Sequence, residues 1–160
     1  MEGVGFAMRI LVMSDSHRNT EAMLKAVARE SPGLILHLGD HDADCAAIEA
    51  DYPDIPLRSV RGNCDRSSAG PDRDEFKLDG MLFFMTHGNL YSVKSGYSSV
   101  IEAARRRGAA VLLFGHTHIP YLFAGKSLTI VNPGSIGTCA KTYAVLDTRN
   151  GTVECEMKKI

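Results

Sequence analysis

At 160 residues, 44% of them apolar and 23% charged, the chain has the make-up of one ordinary domain, residues 1–160, with a core of its own. A net charge of −1 gives no electrostatic case for nucleic acid or a membrane surface as partner. The four scattered cysteines (Cys45, Cys64, Cys139, Cys155) form no CxxC pair, which argues against a zinc ribbon or disulfide framework and fits a reducing cytoplasm. No apolar run reaches the roughly 18–20 residues a bilayer requires, and residues 1–7 read as a loose extension rather than a signal peptide.

In chain order, residues 8–13 (MRILVM) form a near-continuous apolar run, expected for a strand covered on both faces. The run ends in Ser14-Asp15-Ser16-His17. A helical pattern over residues 19–30 stops at Pro32-Gly33. Residues 34–38 (LILHL) read as a second buried strand ending in Gly39-Asp40, with His37 inside it as a hydrogen-bonded core residue. A shorter helix is expected over 43–50, then a third strand over 57–60 ending in Gly62-Asn63-Cys64-Asp65. Strand, polar tip, helix or loop, three times over, is the pattern of βαβ units on a parallel sheet.

Asp79-Gly80 between the runs 75–78 and 81–85 predicts a hairpin. The second of those runs ends in Thr86-His87-Gly88. A helix is expected over 94–107, its Arg105-Arg106-Arg107 end solvated and Gly108 as its cap. The run 111–114 delivers Gly115-His116-Thr117-His118, whose two imidazoles share one side only if the backbone is locally extended. Residues 121–124, 128–131, 142–146 and 152–157 read as short strands, expected to pair antiparallel because their connections are short. The expectation is an α/β fold of two sheets packed face to face with helices outside.

Five strand ends thus carry Asp15 with His17, Asp40, Asn63, His87, and His116 with His118. Ligands gathered at the C-terminal edge of a sheet follow the general binding rule of α/β proteins. Two carboxylates, one amide oxygen and four imidazoles are too many for one tetrahedral ion and suit two ions sharing a carboxylate. The mixed N/O set favours Mn, Fe, Ni, Co or Zn over Mg or Ca.

The ordered set Asp15-x-His17, Gly39-Asp40, Gly62-Asn63-Cys64-Asp65, His87-Gly88 and Gly115-His116-Thr117-His118 resembles the calcineurin-like metallophosphoesterase superfamily. Its length and GNCD form are similar to the small prokaryotic YfcE-type phosphodiesterase branch. The resemblance implies a four-layer αββα sandwich with two mixed sheets and a dinuclear metal centre, manganese foremost. It implies one ion held by Asp15, His17 and His118, a second by Asn63, His87 and His116, and Asp40 bridging them. It further implies attack on phosphorus by a metal-activated hydroxide, with Asp15, Asp40, Asn63 and His116 central to catalysis. Arg18 is a candidate to grip a phosphate oxygen, and His41 a candidate acid. Cys64 stands where many phosphomonoesterases and protein phosphatases of the superfamily carry a histidine thought to protonate the leaving group. A thiol is a poorer acid, so activated or phenolic diesters become the expected substrates. Asp65 is expected to orient a neighbour of the centre, and Asn132-Pro133-Gly134-Ser135 to be a rigid turn. A homodimer or homotetramer is the implied assembly. The alternatives are a phosphomonoesterase and a retromer-type protein-interaction scaffold with an eroded metal site; the full set of competent ligands weighs against the scaffold.

Overall fold

The computed structural model describes residues 7–160; all of the expected N-terminal extension except Ala7 lies outside them. Met8–Met13 (β1), Leu34–His37 (β2) and Leu57–Ser59 (β3) pair in parallel, with Ile10 beside Leu34 and Ile35 beside Leu57. Parallel neighbours need crossovers, and Thr20–Glu30 (α1) and Cys45–Asp51 (α2) supply them. The Asn19 side chain caps α1 by accepting the Ala22 N–H at 3.1 Å. Ser31, in the left-handed region, ends that helix. Asp42–Asp44 is a 3-10 turn leading into α2, which therefore starts two residues later than the pattern suggested.

Arg73–Leu78 (β4) and Met81–Thr86 (β5) form the expected hairpin. Asp79 and Gly80 both have positive φ, 50° and 77°, as a two-residue type I′ connection requires. Val111–Leu113 (β6), Tyr121–Ala124 (β7) and Thr129–Asn132 (β8) complete a sheet of order β4-β5-β6-β8-β7. Thr142–Arg149 (β9) and Thr152–Lys159 (β10) return to the first sheet, ordered β10-β9-β1-β2-β3. The β7–β8 and β9–β10 pairs are antiparallel as expected. β8, however, also lies parallel to β6, because the chain passes out to the edge at β7 and turns back.

Residues 94–107 are not one helix. Asn89–Tyr91 and Val93–Ser95 are 3-10 turns, and only Ser98–Arg106 (α3) is α-helical. Ser92 (φ 51°) and Gly96 (φ 145°) cannot continue a right-handed helix. Nor is the arginine cluster uniformly solvated. Arg106 pairs with Glu102 on the surface, but Arg107 lies over the Phe84 ring at 4.4 Å and holds Glu75 at 2.5 Å.

Alternation along β1 builds the layers. Ile10 and Val12 face the second sheet with Phe83, Met85, Leu113 and Val131, all fully buried. Leu11 and Met13 face the other way, onto Met23, Ala26 and Val27 of α1. In β6, Leu112 likewise meets Val100 and Ala104 of α3. Both sheets are covered on both faces, which is why their central strands read as unbroken apolar runs. Helices, sheet, sheet and helix make the four-layer αββα sandwich. Among the described residues no helix is long and apolar enough to cross a membrane.

Glu30, at the last turn of α1, ties the helix to the first sheet. Its carboxylate accepts from Arg9 at 2.6 Å, Tyr143 at 2.7 Å and Lys158 at 3.1 Å. Burial opposes the charge, but these three donors outweigh it and hold the carboxyl at about 2. The depressed group stabilises the fold above its unfolded value near 4.5, and that contribution fades as pH falls toward 2. Glu30→Gln should therefore lower the melting temperature at pH 7 and remove much of the stability loss between pH 4.5 and 2, as followed by circular dichroism.

Candidate metal centre

Every residue of the expected ligand set sits where a strand of one sheet or the other ends. The two C-terminal rims meet, and within each a backbone bond ties neighbouring strand ends: Asp15 N–H to Gly39 O in the first sheet and Gly115 N–H to His87 O in the second, each at 2.9 Å. This close approach depends on glycine. A Cβ at Gly62 would strike the Asp40 carboxylate, and one at Gly115 would strike the Ser14 hydroxyl.

The side chains fall into two clusters, Asp15 with His17 and His118, and Asp40 with His87 and His116, each offering ligand atoms within 4.8 Å of one another. Asn63 joins the second, its Oδ1 3.1 Å from His87 Nε2. Asp40 faces both: Oδ1 is 3.4 Å from His87 Nε2 and Oδ2 is 4.0 Å from His17 Nε2. Asp15 turns one oxygen away from the clusters, where Oδ2 accepts from the Ser14 hydroxyl at 2.5 Å and the His116 N–H at 3.1 Å. Its Oδ1 is left to His118 Nε2 at 3.1 Å.

The backbone here is unusual. Asp15, His17, Asp40, His116 and His118 all have φ between 43° and 70°, a region costly for non-glycine residues that clusters at functional sites. His116 and His118 are accordingly not presented by extended backbone. Left-handed turns send their rings to different clusters, His116 against His87 at 4.9 Å and His118 against His17 at 5.3 Å between centroids.

Proton accounting shows what these clusters fit. His87 Nδ1 lies 2.8 Å from the Leu38 carbonyl, an acceptor only, so Nδ1 carries the proton. In the neutral ring, Nε2 then points a lone pair at two oxygens, Asn63 Oδ1 and Asp40 Oδ1, both within 3.4 Å, with His116 Nδ1 at 3.1 Å beside them. Such a convergence of lone pairs is stable only around a proton or a cation. In the other cluster, His17 Nε2 is a buried nitrogen with no hydrogen-bond partner, 4.0 Å from both Asp15 and Asp40. An orphaned imidazole nitrogen between two carboxylates, and lone pairs facing one another beside it, fit divalent ions on nitrogen and oxygen donors.

The electrostatics agree. Burial disfavours the Asp40 anion, yet His87 and the Cys64 N–H, 3.0 Å away, hold its carboxyl well below the usual range. Burial lowers His87, but Asp40 and Asp15 outweigh it and raise the imidazole. His116 is lowered by burial and by His87.

Other residues take up supporting or peripheral positions. Asp65 is buried, and its two oxygens accept the N–H groups of Asp40 (2.9 Å), Gly62 (2.7 Å), His41 (2.7 Å) and Asp42 (3.2 Å), fixing the strained Asp40 turn. His37 is the core residue expected, its Nε2 2.9 Å from Ser16 Oγ, and burial pushes it down to about 4. The Ser16 hydroxyl in turn donates to Asp44 at 2.7 Å. Arg18 is exposed at the rim, only its backbone N–H engaged, with Asp44 at 2.8 Å. The His41 ring stands 5.1 Å from that of His17, beside Cys64 and Arg66 in an open pocket of about 490 Å³. Cys64 is exposed, and partial burial and Asp40 push its thiol up.

The turn at residues 132–135 does more than the sequence suggested. Asn132 Nδ2 donates to Gly115 O at 3.1 Å and Thr117 Oγ1 at 2.9 Å. Ser135 Oγ donates to the Asp15 carbonyl at 2.7 Å. Both brace turns that carry the clustered side chains from more than 14 residues away in sequence, and the Asn-Pro-Gly-Ser composition signalled only the turn.

Comparison with known proteins agrees with this geometry. Residues 8–151 match the model of the calcineurin-like phosphoesterase superfamily domain. The chain is 33% identical to the probable metallophosphoesterase YsnB of Bacillus subtilis, over 89% of this chain and 86% of that protein. It is 26% identical to a phosphodiesterase of Methanocaldococcus jannaschii, over 88% and 93%. Among solved structures, a predicted phosphoesterase of Streptococcus pneumoniae superposes with a TM-score of 0.79 at 23% identity, over 96% of this chain and 90% of that one. Vps29 of Chaetomium thermophilum does so at 0.74 and 18%, over 96% and 95%. Sandwich, rim and match over residues 8–151 lead to one conclusion: the chain belongs to the calcineurin-like phosphoesterase superfamily.

Proposed function

We propose that this protein is a metal-dependent phosphodiesterase working through two divalent ions, manganese foremost, held by Asp15, His17 and His118 on one side and Asn63, His87 and His116 on the other, with Asp40 shared. The observation that carries this reading is the convergence of the Asn63 and Asp40 oxygens and His116 Nδ1 on His87 Nε2, beside the orphaned His17 Nε2. When bound, the ions supply Lewis-acid charge for the phosphate oxygens and a nucleophilic water of lowered pKa.

The chain's own groups do the rest. Asp15 and Asp40 are anchored by hydrogen bonds from Ser14, His116 and Cys64, so their inward oxygens need little reorganisation. The Arg18 guanidinium stands at the rim to grip a phosphate oxygen, and His41 is positioned to protonate a leaving group in the neighbouring pocket. Cys64, its thiol raised, is a weak acid, which favours diesters with good leaving groups. The Methanocaldococcus relative is named a phosphodiesterase, in keeping with that preference. A scaffold role would leave the gathered donors without a purpose.

Metal-stripped protein should not cleave bis(4-nitrophenyl) phosphate, and Mn²⁺ should restore cleavage, with the diester preferred over 4-nitrophenyl phosphate. A preference for the monoester would overturn the Cys64 argument, and two bound ions without hydrolysis would favour the scaffold. His116→Ala should abolish hydrolysis while leaving the circular dichroism spectrum intact, because it sits on a rim turn. Asp65→Asn should weaken Mn²⁺ binding by about 10–100-fold in calorimetric titration, as loss of a group that orients a ligand does.

A further inference from the structure

A second opening, sharing no lining residue with the one beside His41 and Cys64, lies next to the centre. This open pocket of about 390 Å³ is lined by Lys94, Gly96, Tyr97, Thr117 and Ile119, among others. It adjoins the centre: Thr117 on its wall is the residue between His116 and His118, and Lys94 stands near enough to His116 to lower its imidazole. Its walls are fixed. The Thr117 hydroxyl oxygen accepts from Asn132 at 2.9 Å and from the Ile119 N–H at 3.2 Å. Tyr97 is held edge-on against Phe114 at 4.9 Å and Tyr121 at 5.0 Å.

The chemistry of the two openings differs. The one beside His41 is polar, with Asp42, Asp65 and Arg66 on its walls. The one beside Thr117 offers the Tyr97 ring and the Ile119 side chain, with a single cation, Lys94, and no acidic group. Ile119 is 63% exposed, a large apolar side chain open to water one residue from His118, and a ligand that covers it gains the burial of that surface. At Gly96, which also lines the pocket, a Cβ would meet nothing within 4 Å.

Building on the phosphodiesterase reading above, we propose that the pocket between Tyr97 and Ile119 receives an apolar, ring-sized ester arm of the substrate while the phosphoryl group sits at the metal centre. Lys94 at the mouth then faces the diester's negative charge. The enzyme selects asymmetric diesters: an aryl-like arm on the Ile119 side and a polar arm on the His41 side.

The test uses phosphonates, which carry a single arm. Phenylphosphonate and methylphosphonate are titrated into the Mn²⁺-loaded protein by calorimetry and assayed as inhibitors of bis(4-nitrophenyl) phosphate hydrolysis. Phenylphosphonate should bind about tenfold tighter, the scale of discrimination a small apolar pocket provides. Ile119→Ser should bring the ratio close to one without changing methylphosphonate affinity, and Ile119→Trp, which fills the pocket, should reverse it. Hydrolysis with a phenyl-to-methyl ratio near one, or one that both variants leave unchanged, would overturn the pocket assignment and leave the phosphodiesterase reading standing. Absence of both hydrolysis and phosphonate binding would overturn the phosphodiesterase reading, and the pocket assignment with it.

Discussion

One hydrogen bond organises this molecule: His87 Nδ1 to the carbonyl of Leu38, 2.8 Å across the gap between the two sheets. It joins the end of a strand in one sheet to the end of a strand in the other. It also decides which nitrogen of the buried His87 imidazole faces the rim. With Nδ1 committed to a carbonyl, Nε2 turns a lone pair toward Asn63 and Asp40, with His116 beside them, and the electrostatic character of the whole centre follows.

Around that bond lies a framework of backbone donors and small residues. Asp65 gathers four N–H groups and so holds the Asp40 turn in a conformation the chain would otherwise leave. Ser14 and the His116 N–H consume one oxygen of Asp15, aiming the other inward. Asn132 and Ser135 secure the turns of His116 and Asp15 from a distant part of the chain. None of these groups needs to touch a ligand to matter, because a centre that neutralises charge works by holding its donors still.

The sandwich and the gathering of seven polar residues at five strand ends were legible because both rest on local signals. Apolar runs bounded by turns mark the strands, and a polar residue after each run marks a rim position. What was not legible depends on contacts distant in sequence. Nothing local announces that His116 and His118 occupy left-handed turns pointing to different clusters, since that conformation is imposed by Asp15 and Asn132. The helical pattern over 94–107 was overstated because composition does not reveal the conformation of Gly96, which ends the Val93–Ser95 turn before α3 begins. Arg107 looked like a surface charge until the fold brought Phe84 and Glu75 beneath it.

Of the twelve non-glycine residues with positive φ among the described ones, seven (Asp15, His17, Arg18, Asp40, His41, His116 and His118) belong to the rim. Each such conformation costs on the order of 1 kcal/mol or more, against a total stability of about 5–15 kcal/mol for an ordinary domain. The rim is thus a region of stored tension, kept in place by three buried apolar clusters. In evolutionary terms, the freedom to remodel the rim is set by how much stability those clusters hold in reserve. Drift at Val12, Phe83 or Leu113 would surface first as a loosened centre, long before the sandwich itself came apart.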